Sequence, residues 1–330
     1  MVLRDAHDRI IRDLRISLTD RCNFRCFYCL PNGEPPLARK ETLLTFEEIT
    51  RVAEIFVSLG IEKIRLTGGE PMLRRDIEKL IESLAAQKPR LKDLALTTNG
   101  YKIPEKGEAL KKAGLDRMTI SLDSLDTANF RDITGVDSLE EVFEAIEAAV
   151  QFGFDPVKIN AVIVRGRNDH EIVDLAGFAR ETGVSVRFIE YMPLDSGHGW
   201  SREMVLPAQE IRETINNVYP LRAKAKNRGS GTAWNYEFAD GSRGEIGIIA
   251  PVTEMFCGAC SRIRLTADGQ IRTCLFSTTE HNLRDFIRSG ASRGEIVQFI
   301  ETVALKKEIS HRINEPGFIQ PARTMSFIGG

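Results

Sequence analysis

Two groups of three cysteines are the residues of this 330-residue chain whose spacing could do chemistry. Cys22, Cys26 and Cys29 fall in Cys22-Asn23-Phe24-Arg25-Cys26-Phe27-Tyr28-Cys29, a C-x3-C-x2-C loop, and Cys257, Cys260 and Cys274 follow as C-x2-C-x13-C. A loop as short as the first can wrap three thiolates around one four-iron cubane, each thiolate on one iron. The fourth iron then has no protein ligand, and its open corner can bind a small molecule. A closed zinc site or a disulfide is the alternative. No histidine stands at zinc-finger spacing after Cys29, and groups of three do not resolve into pairs. The second triad taken alone also suits zinc, with His281 as fourth ligand. Arg262-Ile263-Arg264 lies inside that triad, and residues i and i+2 of a strand share a face. Paired guanidiniums serve a structural zinc nothing; they serve an iron corner that binds a nucleotide.

Such cysteines need elements to position them. Six strand-like runs occupy the first two-thirds of the chain, at residues 15–20, 63–67, 93–98, 117–122, 157–164 and 186–192. Amphipathic stretches at 45–59, 76–86, 139–152 and 169–182 lie between them, and Gly60, Gly114, Gly153 and Gly183 stand where a glycine ends a helix. Six β/α alternations predict an α/β fold, a parallel sheet curved into an incomplete barrel. The chemical signals all fall at strand C-terminal ends, where such folds keep their sites. These are the cysteine loop, Gly68-Gly69-Glu70-Pro71, Thr97-Thr98-Asn99-Gly100, Ser121-Leu122-Asp123-Ser124, Lys158 with Asn160, and Glu190-Tyr191-Met192-Pro193. A last core helix is expected at 207–218 and a linker at 223–231. Beyond it, Asp240-Gly241 and Asp268-Gly269 each sit between two strand-like runs and predict two hairpins, followed by helices near 283–287 and 295–306. The expected division is a barrel over 1–222 and a smaller β-rich α+β part over 223–330.

Net charge is −2, so the chain as a whole does not attract nucleic acid, and an anionic substrate must be caught by a local arginine cluster. No apolar run approaches the length of a membrane span, and unpaired cysteines suit a reducing, cytoplasmic setting. Residues 1–12 alternate in charge and read as a solvated lead-in. Glu140-Glu141 and Lys306-Lys307-Glu308 read as solvated helix faces, and the five histidines show no ligand spacing.

Tyr28 before the last cysteine of the first loop, with Gly68-Gly69-Glu70-Pro71 nearby, resembles the radical S-adenosylmethionine (SAM) superfamily. Adding the second triad, Arg262-x-Arg264 and the terminal Gly329-Gly330, the resemblance narrows to the GTP 3′,8-cyclase family and covers essentially the whole chain. It implies an incomplete (β/α)6 barrel closed by a C-terminal β-rich layer. It also implies two [4Fe-4S] clusters, with SAM on the open iron of the first. The implied lyase reaction begins with a 5′-deoxyadenosyl radical taking the ribose 3′ hydrogen of GTP. Its product is (8S)-3′,8-cyclo-7,8-dihydroguanosine 5′-triphosphate, an intermediate of molybdenum cofactor biosynthesis. By the same resemblance Tyr28, Gly69, Ser121 and Met192 contact SAM. Arg15, Arg65, Thr97, Lys158, Arg262 and Arg264 contact GTP, and the Gly329-Gly330 tail assists in the pocket. A flavodoxin- or ferredoxin-like electron donor and hand-off to cyclic pyranopterin monophosphate synthase are implied as partners, with a monomer or homodimer as the assembly. No acid or base is assigned.

Overall fold

A computed structural model describes residues 2–30, 37–195, 197–225 and 228–329. Its first six strands are β1 (Asp13–Ser17), β2 (Lys63–Thr67), β3 (Asp93–Thr98), β4 (Arg117–Ser121), β5 (Lys158–Ile163) and β6 (Ser185–Glu190). They pair in sequence order, all parallel, and β1 does not pair with β6, so the barrel stays open as expected. The helices between them follow from their caps. The helix Phe46–Ser58 starts at a Thr45/Glu48 capping box, buries Ile49, Val52, Ala53 and Phe56, and ends before Gly60 at φ +96°. Two helices beyond the four expected stretches, Ile103–Lys112 and Thr127–Thr134, complete the alternation.

The C-terminal strands extend both edges of this sheet. β7 (Leu221–Ala223), β8 (Trp234–Phe238) and β9 (Glu245–Ile249) form a meander whose last strand runs parallel to β6. β10 (Arg262–Leu265), β11 (Gln270–Arg272) and β12 (His281–Asn282) form the other, with β10 parallel to β1. Both expected hairpins are present. The result is one open sheet in the order β12-β11-β10-β1-β2-β3-β4-β5-β6-β9-β8-β7. This register places Arg15 between Arg65 and Arg264, and Asn160 between Ser121 and Arg187. Leu14, Ile16, Ile64, Leu66, Leu94, Leu96, Ile159 and Phe188 occupy the alternate positions and are buried in the main core. Polar residues therefore face the concave side.

Three expectations about solvated segments need correction. In the lead-in, Leu3 and Ile11 are buried, and Asp5 and Arg9 form a buried ion pair of 2.6 Å. The alternating charges there serve each other across a turn. Ala223, the first residue of the expected linker, is paired with Tyr236 of β8, and Arg228 stacks over Trp234 and Phe256. Lys307 is only 4% exposed, and the helix before it, Arg293–Ala304, has already ended. Its charge is buried because backbone carbonyls receive it.

Candidate active site

The concave face opens on a cavity of about 320 Å³ lined by all six cysteines. Also lining it are Arg15, Tyr28, Arg65, Gly69, Thr97, Ser121, Met192, Arg262 and Arg264, so 15 of the 18 expected site residues share one chamber. Lys158 is not among them. It sits two residues before cavity-lining Asn160 on β5, on the same face but one layer deeper, paired with Thr119. Gly329 is not among them either, though its carbonyl accepts from the lining Arg264, and Gly330 lies outside the described residues.

The first triad is held by short-range contacts. The N–H groups of Phe24 and Ser326 donate to the sulfurs of Cys22 and Cys29. The Asn99 amide lies 4.0 Å from Cys22 Sγ and donates to Asn23 Oδ1. Tyr28 Oη donates to Asp123 Oδ2 at 2.6 Å, fixing the ring beside the last cysteine. Burial pushes Cys22 up to about 11 and Cys29 up to about 12, and it raises Cys26, where Asp123 and the other two thiols add to it. The donor set, three thiols lining one cavity, is the one a four-iron cubane with an open corner would take.

Gly68-Gly69 has a different local reason from the one its composition suggests. A Cβ on Gly69 would run into the carbonyl of Arg21, and one on Gly68 (φ +150°) into that of Thr19. The glycines admit the backbone of the cysteine loop, which is tied down by Gly69 N–H to Thr19 O and Glu70 N–H to Arg21 O, both 2.7 Å. Glu70 turns away from the chamber and accepts from Met72 N, Thr98 Oγ1 and Asn99 N, joining the ends of β2 and β3.

Arginines dominate the opposite floor. Burial, with Arg264, Arg65 and Arg262 beside it, holds Arg15 well below the usual guanidinium range. Burial likewise brings Arg65 down to about 10, as it does Arg187 and Arg264. Arg65 Nη1 donates to Thr97 and Thr119, each at 3.0 Å. Mutually repelling guanidiniums on a dry wall form an acceptor for a polyanion. Arg187 Nε and Asn160 Oδ1, adjacent in register, are buried without hydrogen-bond partners among the described residues, and both residues line the chamber. Neither was singled out as a contact from sequence. An inward i, i+2 pattern with Lys158 was the available signal for Asn160.

The second triad sits where β10 enters and β11 leaves the sheet. Arg262 Nη2 lies 3.3 Å from Cys260 Sγ, and Phe256 is stacked between Arg228 and Arg262. Burial opposes ionisation at Cys260, but Arg262 and Lys307 bring it down to about 7. His281 belongs to β12, paired with Ile271, and does not line the chamber, so it is not placed as the fourth ligand that the zinc alternative named. The donor set is again three thiols facing a shared cavity, which fits a cluster with one open corner.

The tail is anchored rather than frayed. Arg323 pairs bidentately with Asp268 at 3.0 Å, Ile328 is fully buried, and Arg264 Nη1 donates to Gly329 O at 2.5 Å. A Cβ on Gly329 (φ +83°) would run into Thr67 Oγ1 and come within 3.1 Å of Ser17 Cβ.

Comparison with known proteins places these features. Residues 16–179 match the family described as Radical SAM superfamily, and residues 184–313 match Molybdenum Cofactor Synthesis C. The chain is 45% identical over its full length to a GTP 3′,8-cyclase of Streptomyces coelicolor, covering 96% of that protein. It is 43% identical over 99% of its length to that of Syntrophomonas wolfei, covering 99% of it. Streptococcus suis SuiB bound to S-adenosylmethionine shares the fold, with a TM-score of 0.65 at 15% identity over 88% of this chain and 69% of that one.

Proposed function

Since this chain belongs to the GTP 3′,8-cyclase family of radical SAM enzymes, which serves molybdenum cofactor biosynthesis, we propose that its single chamber seats SAM against the first cysteine triad and GTP against the second. The family's chemistry requires a [4Fe-4S] cluster and SAM, and its product is the 3′,8-cyclised nucleotide. The observation that carries the two-sided reading is that both triads line one cavity with a row of guanidiniums between them. When bound, the cluster on Cys22, Cys26 and Cys29 supplies the electron for reductive cleavage of SAM, from which the radical chemistry on the ribose begins.

The chain's own residues do the positioning. Tyr28, locked by Asp123, and Gly69, Ser121 and Met192 form the wall around the first triad and hold SAM. Arg15, Arg65, Arg262 and Arg264 form a cationic floor for the triphosphate, and Thr97, bonded to Arg65, lies beside the nucleotide. Lys158 contributes its charge from the layer below. Cys257, Cys260 and Cys274 would hold a second [4Fe-4S] cluster, which would supply an anchoring site for the purine. Residues 1–222 thus carry radical initiation together with Arg15, Arg65, Thr97 and Lys158 of the nucleotide site, and residues 223–330 carry the second triad, Arg262, Arg264 and the tail. The electron comes from a flavodoxin- or ferredoxin-like protein. The product passes to cyclic pyranopterin monophosphate synthase. The protein works in the cytoplasm as a monomer or homodimer. No helix among the described residues is long and apolar enough to cross a membrane.

The test is anaerobic reconstitution followed by iron, zinc and sulfide analysis and incubation with SAM, reductant and GTP. About eight irons per chain, 5′-deoxyadenosine and the cyclised nucleotide are expected. Zinc in the second triad, or full turnover with about four irons, would overturn the two-cluster reading.

A further inference from the structure

A buried cation stands behind the second triad without a role in the assignments above. Lys307 is 4% exposed and lines the chamber. Its ammonium donates to Arg262 O at 2.9 Å and to Thr273 O. Those carbonyls belong to residues two after Cys260 and one before Cys274. An ammonium has three N–H donors, so one remains uncommitted among the described contacts.

The neighbouring backbone completes a clasp. Thr273 Oγ1 donates to Glu308 Oε2 at 2.7 Å. Arg9 donates to Cys257 O at 2.8 Å and to Glu308 O at 2.6 Å. The turn after the Arg293–Ala304 helix therefore grips the segments bearing all three cysteines. A hydrogen-bonded frame alone needs no charge at position 307, because a neutral donor would serve. A buried cation is costly unless a negative group offsets it. The two carbonyls solvate this one in part. Three thiolates around a cluster supply the remaining negative charge.

We propose that Lys307 is the positioning residue of the second triad, bridging the Cys260 and Cys274 segments while its fixed positive charge stabilises the reduced state of the cluster held there. This rests on the two-cluster reading proposed above. A cation beside an iron–sulfur cluster favours the state carrying one more electron, so removing it makes reduction harder.

The experiment is a dithionite titration with redox mediators of the anaerobically reconstituted full-length enzyme, followed by electron paramagnetic resonance. Wild type, Lys307→Gln and Lys307→Arg are compared after iron and sulfide analysis. Lys307→Gln keeps a donor for the carbonyls and loses the charge. It should lower the reduction equilibrium constant of the second cluster about tenfold, a downward shift of about 59 mV for one electron. The first cluster should not move, and Lys307→Arg should recover most of the shift. If wild type retains about four irons, the two-cluster reading has failed. If wild type and Lys307→Gln both retain about eight but share one potential, the charge assignment is overturned. If Lys307→Gln loses the second cluster while Lys307→Arg keeps it, the charge is needed even to hold the cluster, which supports the proposal. Loss from both variants despite intact folding assigns Lys307 to shape alone and overturns it.

Discussion

Around Cys22, Cys26 and Cys29 the influential charges are the acids Glu70 and Asp123, opposed at Cys22 by Arg25. Around Cys257, Cys260 and Cys274 they are Arg262 and Lys307, opposed at Cys274 by Glu308. Equal numbers of thiols thus sit in opposite fields. Acids near an electron-rich cluster disfavour adding a further electron, so on the proposed two-cluster reading a reduced first cluster would be the stronger reductant. Cations near the second favour the reduced state and also attract a polyanionic ligand. On the proposed reading, the same thiol chemistry would be divided into an electron-donating wall and a substrate-binding wall by what surrounds it.

The sharpest way to break that comparison is to remove one thiol from each side. Cys26→Ser should abolish 5′-deoxyadenosine formation, read by liquid chromatography. Cys257→Ser should retain SAM cleavage and lose the cyclised nucleotide. Equal loss of cleavage in two folded variants would erase the division.

Next in size is the tail, which touches both sides through Ser326 at Cys29 and Gly329 at Arg264. Deleting residues 329–330 should leave both clusters and SAM binding intact while cyclisation falls on the order of tenfold or more, since a misplaced group costs that much. Full turnover by the truncated chain would make the Arg264 contact incidental.

A smaller loss is expected from the cationic floor. Arg262→Ala or Arg264→Ala should weaken GTP binding by about 1.5–3 kcal/mol, measured by calorimetry. Lysine should restore part, because it lacks the planar fork. Unchanged affinity in both alanine variants would put the triphosphate elsewhere.

The smallest effect concerns Lys158, brought down to about 7 by burial and by Arg187, Arg117 and Arg65, with Glu245 opposing. A lysine whose folded value lies below its unfolded one binds fewer protons when folded, so stability rises with pH between about 7 and 10.5. Lys158→Met should therefore raise thermal stability at pH 6, by roughly 1–2 kcal/mol. The gain should shrink as pH rises from about 7 and level off only above 10.5, where the lysine has lost its proton in both states. A pH-independent gain would mean better packing instead.

Much of this was legible in the chain. Strands β2 and β3 fall at their expected residues, because short apolar runs bounded by turn residues carry a local signal. The cysteine spacings and the Arg262/Arg264 pair were legible for the same reason: thiol chemistry and strand periodicity act within a few residues. Where strands join was not legible. Nothing local says that β10 lies against β1 and β9 against β6, yet this pairing alone brings two triads some 230 residues apart in sequence into one chamber. The role of Gly68-Gly69 was hidden likewise, since the Cβ positions collide with a loop about 48 residues earlier. Lys307 shows the limit most plainly. In sequence it stands between a lysine and a glutamate and reads as solvated surface. Its burial depends on two carbonyls from residues 262 and 273, and only the folded chain supplies them, because solvating a buried charge requires groups from several segments at one point.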